Sequence, residues 1–124
     1  MPEVTQLAVL GPDVFPDANR RVYARLKMLR ADWPGRTFHV ITTTTGAIAT
    51  AALRAARKLR WGYSAVGEGQ AIAPDRIIVY WDFECERTAA AIRMALVRDL
   101  PCEVWDSDDE PAGPAAADHV QGIA

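Results

Sequence analysis

Apolar positions along the chain change period several times, and each change marks an element. Val4 to Gly11 is a mostly apolar run stopped by Gly11-Pro12, the pattern of a buried strand. Asp17 then stands as the cap of a helix over about Ala18 to Ala31, whose Val22, Leu26 and Leu29 make one apolar stripe. Trp33-Pro34-Gly35 is a stop and turn signal, and Thr37 to Thr42 follows as a second strand with His39 between Phe38 and Val40. A second helix, about Ala47 to Arg60, carries Ile48, Ala52, Ala55 and Leu59 on one face, and its alanines let it lie close against a sheet. Trp61 to Val66 reads as a short third strand, Gly67 to Pro74 as a loop, and Arg76 to Trp81 as a β-branched and aromatic fourth strand. After an acidic connector, a third helix over about Arg87 to Asp99 presents Ala91, Ile92, Ala95 and Leu96 to a core. Pro101 ends that region, and Cys102 to Trp105 is a fifth strand.

Strands alternating with helices predict an α/β fold: a small Rossmann-like three-layer sandwich with a mostly parallel sheet of about five strands, three main helices and right-handed crossovers. One step strains this expectation. Nine residues separate Val66 from Arg76, and at ~3.3 Å each they barely return the chain to the start of a parallel strand. The third strand is therefore expected to be short, displaced or antiparallel.

Composition narrows the picture further. A chain of 124 residues with 50% hydrophobic and 24% charged positions suits one globular domain. Residues 1–105 are assigned to that domain and 106–124 to an acidic, Pro/Ala-rich flexible tail. No run approaches a membrane span and no signal-peptide pattern opens the chain, so a cytoplasmic address is expected. All 14 basic residues precede Asp106, against 11 acidic ones in the same stretch, so residues 1–105 carry +3. Most of the positive charge lies on the first two helices and reads as solvated arginine faces rather than as a nucleic-acid surface. Cys85 and Cys102 stand alone, without metal-ligand spacing.

The stretch Val40-Ile41-Thr42-Thr43-Thr44-Thr45-Gly46-Ala47 carries the most chemistry. It runs from a strand through hydroxyls and a glycine into a helix, whose N-terminal amides and partial positive charge favour a phosphate or sugar. The same residues also suit an ordinary helix cap.

Within this frame the chain resembles a degenerate member of the SLOG superfamily of Rossmann-like nucleotide-binding proteins, in its YspA-like branch, over roughly residues 5–105. The branch's Gly-x-Arg-Asp-Phe-x-Asp turn is matched by Gly11, Phe15 and Asp17, with Asp13 where the arginine is expected. Its Gly-Gly-Ala-x-Gly-Ala-Asp loop is matched at Gly46 and Ala47, with threonines for the first glycines and Ile48 for the acid. Of its later Gly-Gly-x-Gly-Thr turn only Thr88 is present. The resemblance implies a nucleotide-like small-molecule ligand held by Gly11, Pro12, Asp13, Thr43, Thr44, Thr45, Gly46, Trp81 and Thr88. A catalytic member would keep the glycine turn and its nearby glutamate, so binding without turnover, as a sensor or sequestering protein of bacterial or phage type, is the expectation.

Trp81 or Trp105 would stack on a base. The same sheet edge gathers Asp13, Asp82, Glu84 and Glu86, an alternative set for Mg²⁺ supporting phosphoryl transfer or strand cleavage; otherwise no cofactor or metal is expected. A further alternative is a homo-oligomeric interaction module whose ligand site has decayed. His39 reads as a core or sheet-face residue, His119 lies in the tail, and neither a Ser/His/Asp order nor a Gly-x-x-x-x-Gly-Lys loop is present.

Overall fold

The computed structural model describes residues 4–67, 74–81 and 86–106. Eight elements follow one another: β1 (Val4–Leu10), α1 (Ala18–Asp32), β2 (Thr37–Thr43), α2 (Ala47–Leu59), β3 (Gly62–Val66), β4 (Arg76–Tyr80), α3 (Glu86–Val97) and β5 (Cys102–Trp105). They build one five-stranded sheet in the order β3-β2-β1-β4-β5, and every strand pair is parallel. This is the Rossmann-like α/β sandwich that the alternation of elements predicts. Among the described residues no helix is long and apolar enough to cross a membrane.

Strand periodicity divides the core in two. Leu7 and Val9 of β1, Phe38 and Val40 of β2, Ile78 and Tyr80 of β4 and Trp105 of β5 face α1 and α2, which bring Val22, Leu26, Leu29, Ile48, Ala52, Ala55 and Leu59. Ala8, Ile77, Val79 and Val104 turn the other way and meet Ile92 and Ala95 of α3. Strands β1 and β4, central and covered on both faces, therefore read as continuous apolar runs, whereas β2 alternates buried with half-buried positions. The α3 face is narrower than its period suggests, because Leu96 is exposed. Asp17 occupies the α1 N-cap position but caps nothing with its side chain: its φ is 54° and its carboxylate pairs with Arg20 at 3.1 Å.

The third strand corrects the expectation of an antiparallel or displaced element. It is short, parallel and at the sheet edge. Register explains why nine residues suffice for the return. Val66 lies opposite Thr43, and β4 starts with Arg76 opposite Leu7, which is itself level with Val40. The return thus spans only about 10 Å along the strands and about 14 Å across three strand spacings, well within the reach of nine extended residues. Below Arg76, Asp75 continues the ladder: its N–H donates to the Gln6 carbonyl (2.8 Å) and its carboxylate accepts the Gln6 N–H (2.9 Å).

A polar clasp ties α1 to the β5 edge. The Arg25 guanidinium holds the Glu103 carboxylate through two nitrogens, Nε at 2.8 Å, while Trp105 Nε1 donates to the same carboxylate at 3.1 Å and Arg76 lies 3.7 Å away. Burial pushes the Glu103 carboxyl up, but the Arg25 bond and charge, the indole N–H and Arg76 outweigh it and hold the group below its ordinary range. Burial also raises the neighbouring Tyr80 hydroxyl and pushes the Cys102 thiol up to about 11, so Cys102 is a protonated, half-buried thiol at neutral pH. A carboxyl depressed by folding stabilises the fold above its unfolded pKa and loses that contribution as pH falls through the folded value. Glu103→Gln is therefore expected to cost roughly 1–3 kcal/mol at neutral pH. Urea denaturation should show this gap closing as pH drops below the carboxylate range.

Candidate functional site

The chain runs outward from β1 through β2 to β3, then returns to place β4 on the other side of β1. Ligands in open α/β sheets bind outside the carboxyl ends of the strands at such a reversal. Here that edge carries the turn after β1 (Gly11 to Asp13), the threonine loop after β2 and Trp81 after β4.

The turn after β1 lies tightly over the start of α2. A β-carbon on Gly11 would come within 2.4 Å of Ile48 Cγ1 and 3.0 Å of the Tyr80 carbonyl oxygen, so only glycine lets β1 end there. Pro12 is buried beside it. The Asp13 carbonyl then accepts the Ala47 N–H at 2.8 Å, and a β-carbon on Gly46 would lie 3.0 Å from Asp13 Oδ1. The chain's own Asp13 therefore brings a carbonyl and a carboxylate to the electropositive end of α2. The fold thus holds an internal counter-charge at this helix end.

The threonine loop spends part of its chemistry internally. Thr42 is buried, and its hydroxyl donates to the Val9 carbonyl at 2.7 Å, joining β2 to β1. Thr43 Oγ1 donates to the Thr45 carbonyl at 3.1 Å, which shapes the turn. Thr44 and Thr45 are exposed, and Gly46, at φ 111°, redirects the chain into α2.

The structure thus brings Gly11, Pro12, Asp13, Gly46 and the threonines into one neighbourhood and sets the other candidates apart. Trp81 is half-buried against the α3 core cluster, and its backbone N–H donates to the Trp105 carbonyl at 2.8 Å. Thr88 is buried in the first turn of α3. Trp105, a candidate for base stacking, is instead a core residue, 4% exposed, with its indole N–H directed to Glu103. Asp82, Glu84 and Cys85 lie outside the described residues, as do the residues from 107 onward, including His119. Among the described residues no group of three His, Cys, Asp or Glu side chains could hold a metal ion.

Beside this neighbourhood opens a groove of about 600 Å³ that the linear pattern did not reveal, lined by Phe15, Asp17, Ala18, Asn19, Arg20, Gly46, Ala47 and Thr50. The N-termini of α1 and α2 both border it. Neither helix has a side-chain cap, and neither has an acid in its first turn. Arg20 stands on the rim in an exposed pair with Asp17, an interaction of little net strength. Phe15 anchors the groove floor by an edge-on contact with Tyr80, ring centroids 5.5 Å apart. Asn19, Arg20 and Thr50 were missed because they read as solvated helix positions. Only the packing of α1 on α2 makes them neighbours. On the opposite face of the sheet His39 Nε2 lies 2.7 Å from Ser64 Oγ, a cross-strand pair that Gly62 accommodates, since a β-carbon there would meet the imidazole at 2.8 Å.

Comparison with known proteins returned no matching family model, no matching curated protein and no matching solved structure.

The two glycines are expected to respond differently to substitution. Gly11→Ala drives a β-carbon into a branched side chain and a backbone carbonyl, at a cost of about 2–4 kcal/mol. Gly46→Ala adds backbone strain at positive φ, about 1–3 kcal/mol, and displaces Asp13 from the start of α2. Chemical denaturation of both variants, with amide exchange at Ala47 as the local readout, checks the ordering. Exchange at Ala47 unchanged in Gly46→Ala would contradict the coupling.

Proposed function

We propose that this chain binds a nucleotide or nucleotide-derived small molecule without turning it over, at the carboxyl edge of its sheet, as a degenerate SLOG-type protein acting in the cytoplasm. The observation that carries this reading is the convergence on one groove of two helix N-termini, neither closed by the side chain of its own N-cap residue. The dipoles of two helices add where their N-termini meet, so an anionic group in the groove would be attracted from both sides. Its volume falls in the range of small-molecule sites, and the exposed Thr44 and Thr45 at the α2 end offer hydroxyls suited to a ribose or phosphate.

The reading differs from the expectation drawn on the threonine loop alone. Asp13 already occupies part of the α2 terminus, so the ligand's charge is assigned to the side facing α1. The carboxylates of Asp13 and Asp17 at the margins select against a bare, highly charged phosphate. A ligand with one or two phosphates and an uncharged remainder fits that balance better.

Thermal shift with a panel of nucleotides, cyclic dinucleotides and ADP-ribose derivatives tests the proposal. A ligand that binds only the folded state adds about 2.7 kcal/mol at a hundred times its Kd, which for a domain of this size raises Tm by roughly 10 °C or more. Asn19→Asp should retain or slightly raise the stability of the free protein, because an acid in the first turn suits α1, yet abolish the ligand shift. Replacing Thr44 and Thr45 by valine should weaken the shift while leaving the fold intact. A panel without any response, or a response unchanged in Asn19→Asp, would overturn the assignment to this groove.

A further inference from the structure

The two edges of the sheet are finished in different ways. At one edge, β5 is four residues long and turns Glu103 inward onto Arg25, and an inward charge on a short strand blocks pairing with a further chain. At the other, β3 reads Gly-Tyr-Ser-Ala-Val, with no charge and no proline, and its first four residues are exposed. Tyr63 alone leaves 45% of its surface open. Among the described residues no strand pairs with its outer side, so its backbone groups there form a template for another strand.

The helix layer continues this edge. Lys58 lies over the Tyr23 ring at 5.0 Å, which marks the flank of α2 that faces α1. The opposite flank carries Ala49, Leu53 and Ala56 at helical spacing, and Leu53 is only half-buried. An apolar margin of Leu53 and Tyr63 therefore adjoins the open strand.

We infer that β3 is a homodimer interface, in which a second copy of this chain pairs its own β3 antiparallel about a two-fold axis through Ser64 and extends the sheet to ten strands. Self-pairing is favoured over capture of an unrelated strand because the segment is complementary to itself. With Ser64 opposite Ser64, Tyr63 faces the partner's Ala65, a large residue against a small one. The axis is perpendicular to the sheet and brings both α2 helices to the same face, where the Leu53 and Tyr63 margins of the two copies meet. The interface lies away from the groove between α1 and α2, so the inference stands independently of the ligand reading.

Sedimentation velocity on the full chain, from low micromolar to near-millimolar concentration, should show a reversible dimer. Tyr63→Lys with Ala65→Lys places charges on exposed positions and should leave the circular dichroism spectrum unchanged. It should weaken dimerisation by about tenfold or more, since like charges then face each other across the axis. Under mild oxidation Ser64→Cys should form a cross-linked dimer absent from the parent chain, because directly opposed β-carbons lie about 5 Å apart, near disulfide reach. Ala65→Cys, which opposes Tyr63 of the second copy, should not cross-link. A parent chain monomeric at every concentration, a dimer indifferent to the two lysines, or cross-linking through residue 65 in place of 64 would each overturn the inference.

Discussion

How closely α2 approaches the end of β1 governs the rest of this structure. Gly11 leaves no β-carbon between the strand and Ile48, so the helix begins directly against the sheet. The alanines at 51, 52, 55 and 56 keep it there, all of them buried. That approach positions the Asp13 carbonyl over Ala47, sets the mouth of the threonine loop and brings the start of α2 beside the start of α1. The groove is a by-product of this packing: two helices that lie close to a sheet and to each other must expose their first turns side by side.

The same economy of side-chain volume shapes the electrostatics. With α2 so close to the turn after β1, its partial positive charge meets a carboxylate of the chain itself before it meets solvent. The site is thereby tempered rather than intensely basic. The ends of α1 and α2 converge on the groove, where neither N-cap side chain closes the first turn. Stability is arranged on another side of the molecule, where α1 reaches across to β5 through Arg25 and Glu103. The groove and the clasp that holds the sheet together thus draw on different residues of one helix layer.

The fold was legible in the sequence because each apolar stripe belongs to one segment. Val22, Leu26 and Leu29 in α1, the alanine face of α2 and the uninterrupted apolar run of β4 each announce their element without reference to the others. The direction of β3 was not legible, because it depends on the offset between β4 and β1, a property of pairing that no local pattern contains. Asp17 sits where a cap is expected, but its backbone conformation turns the carboxylate toward Arg20. Trp105 has the composition of a stacking residue and the surroundings of a core one. Of the candidate site, the loop of threonines was visible and the partner surface on α1 was not, since residues such as Asn19 acquire meaning only once two helices are packed.

The offset of β4 also bears on how the molecule assembles. Its central strand pair joins residues 69 positions apart, Leu7 with Arg76, whereas β1 meets β2 and β2 meets β3 across single helical connections. The first three strands and their two helices can thus gather as a nearly local unit. The hydrophobic centre is complete only when the C-terminal third docks along the free side of β1. Such remote pairing slows acquisition of the native state, and until it occurs β1 is an edge strand, the point at which a nascent chain of this design is most open to mispairing.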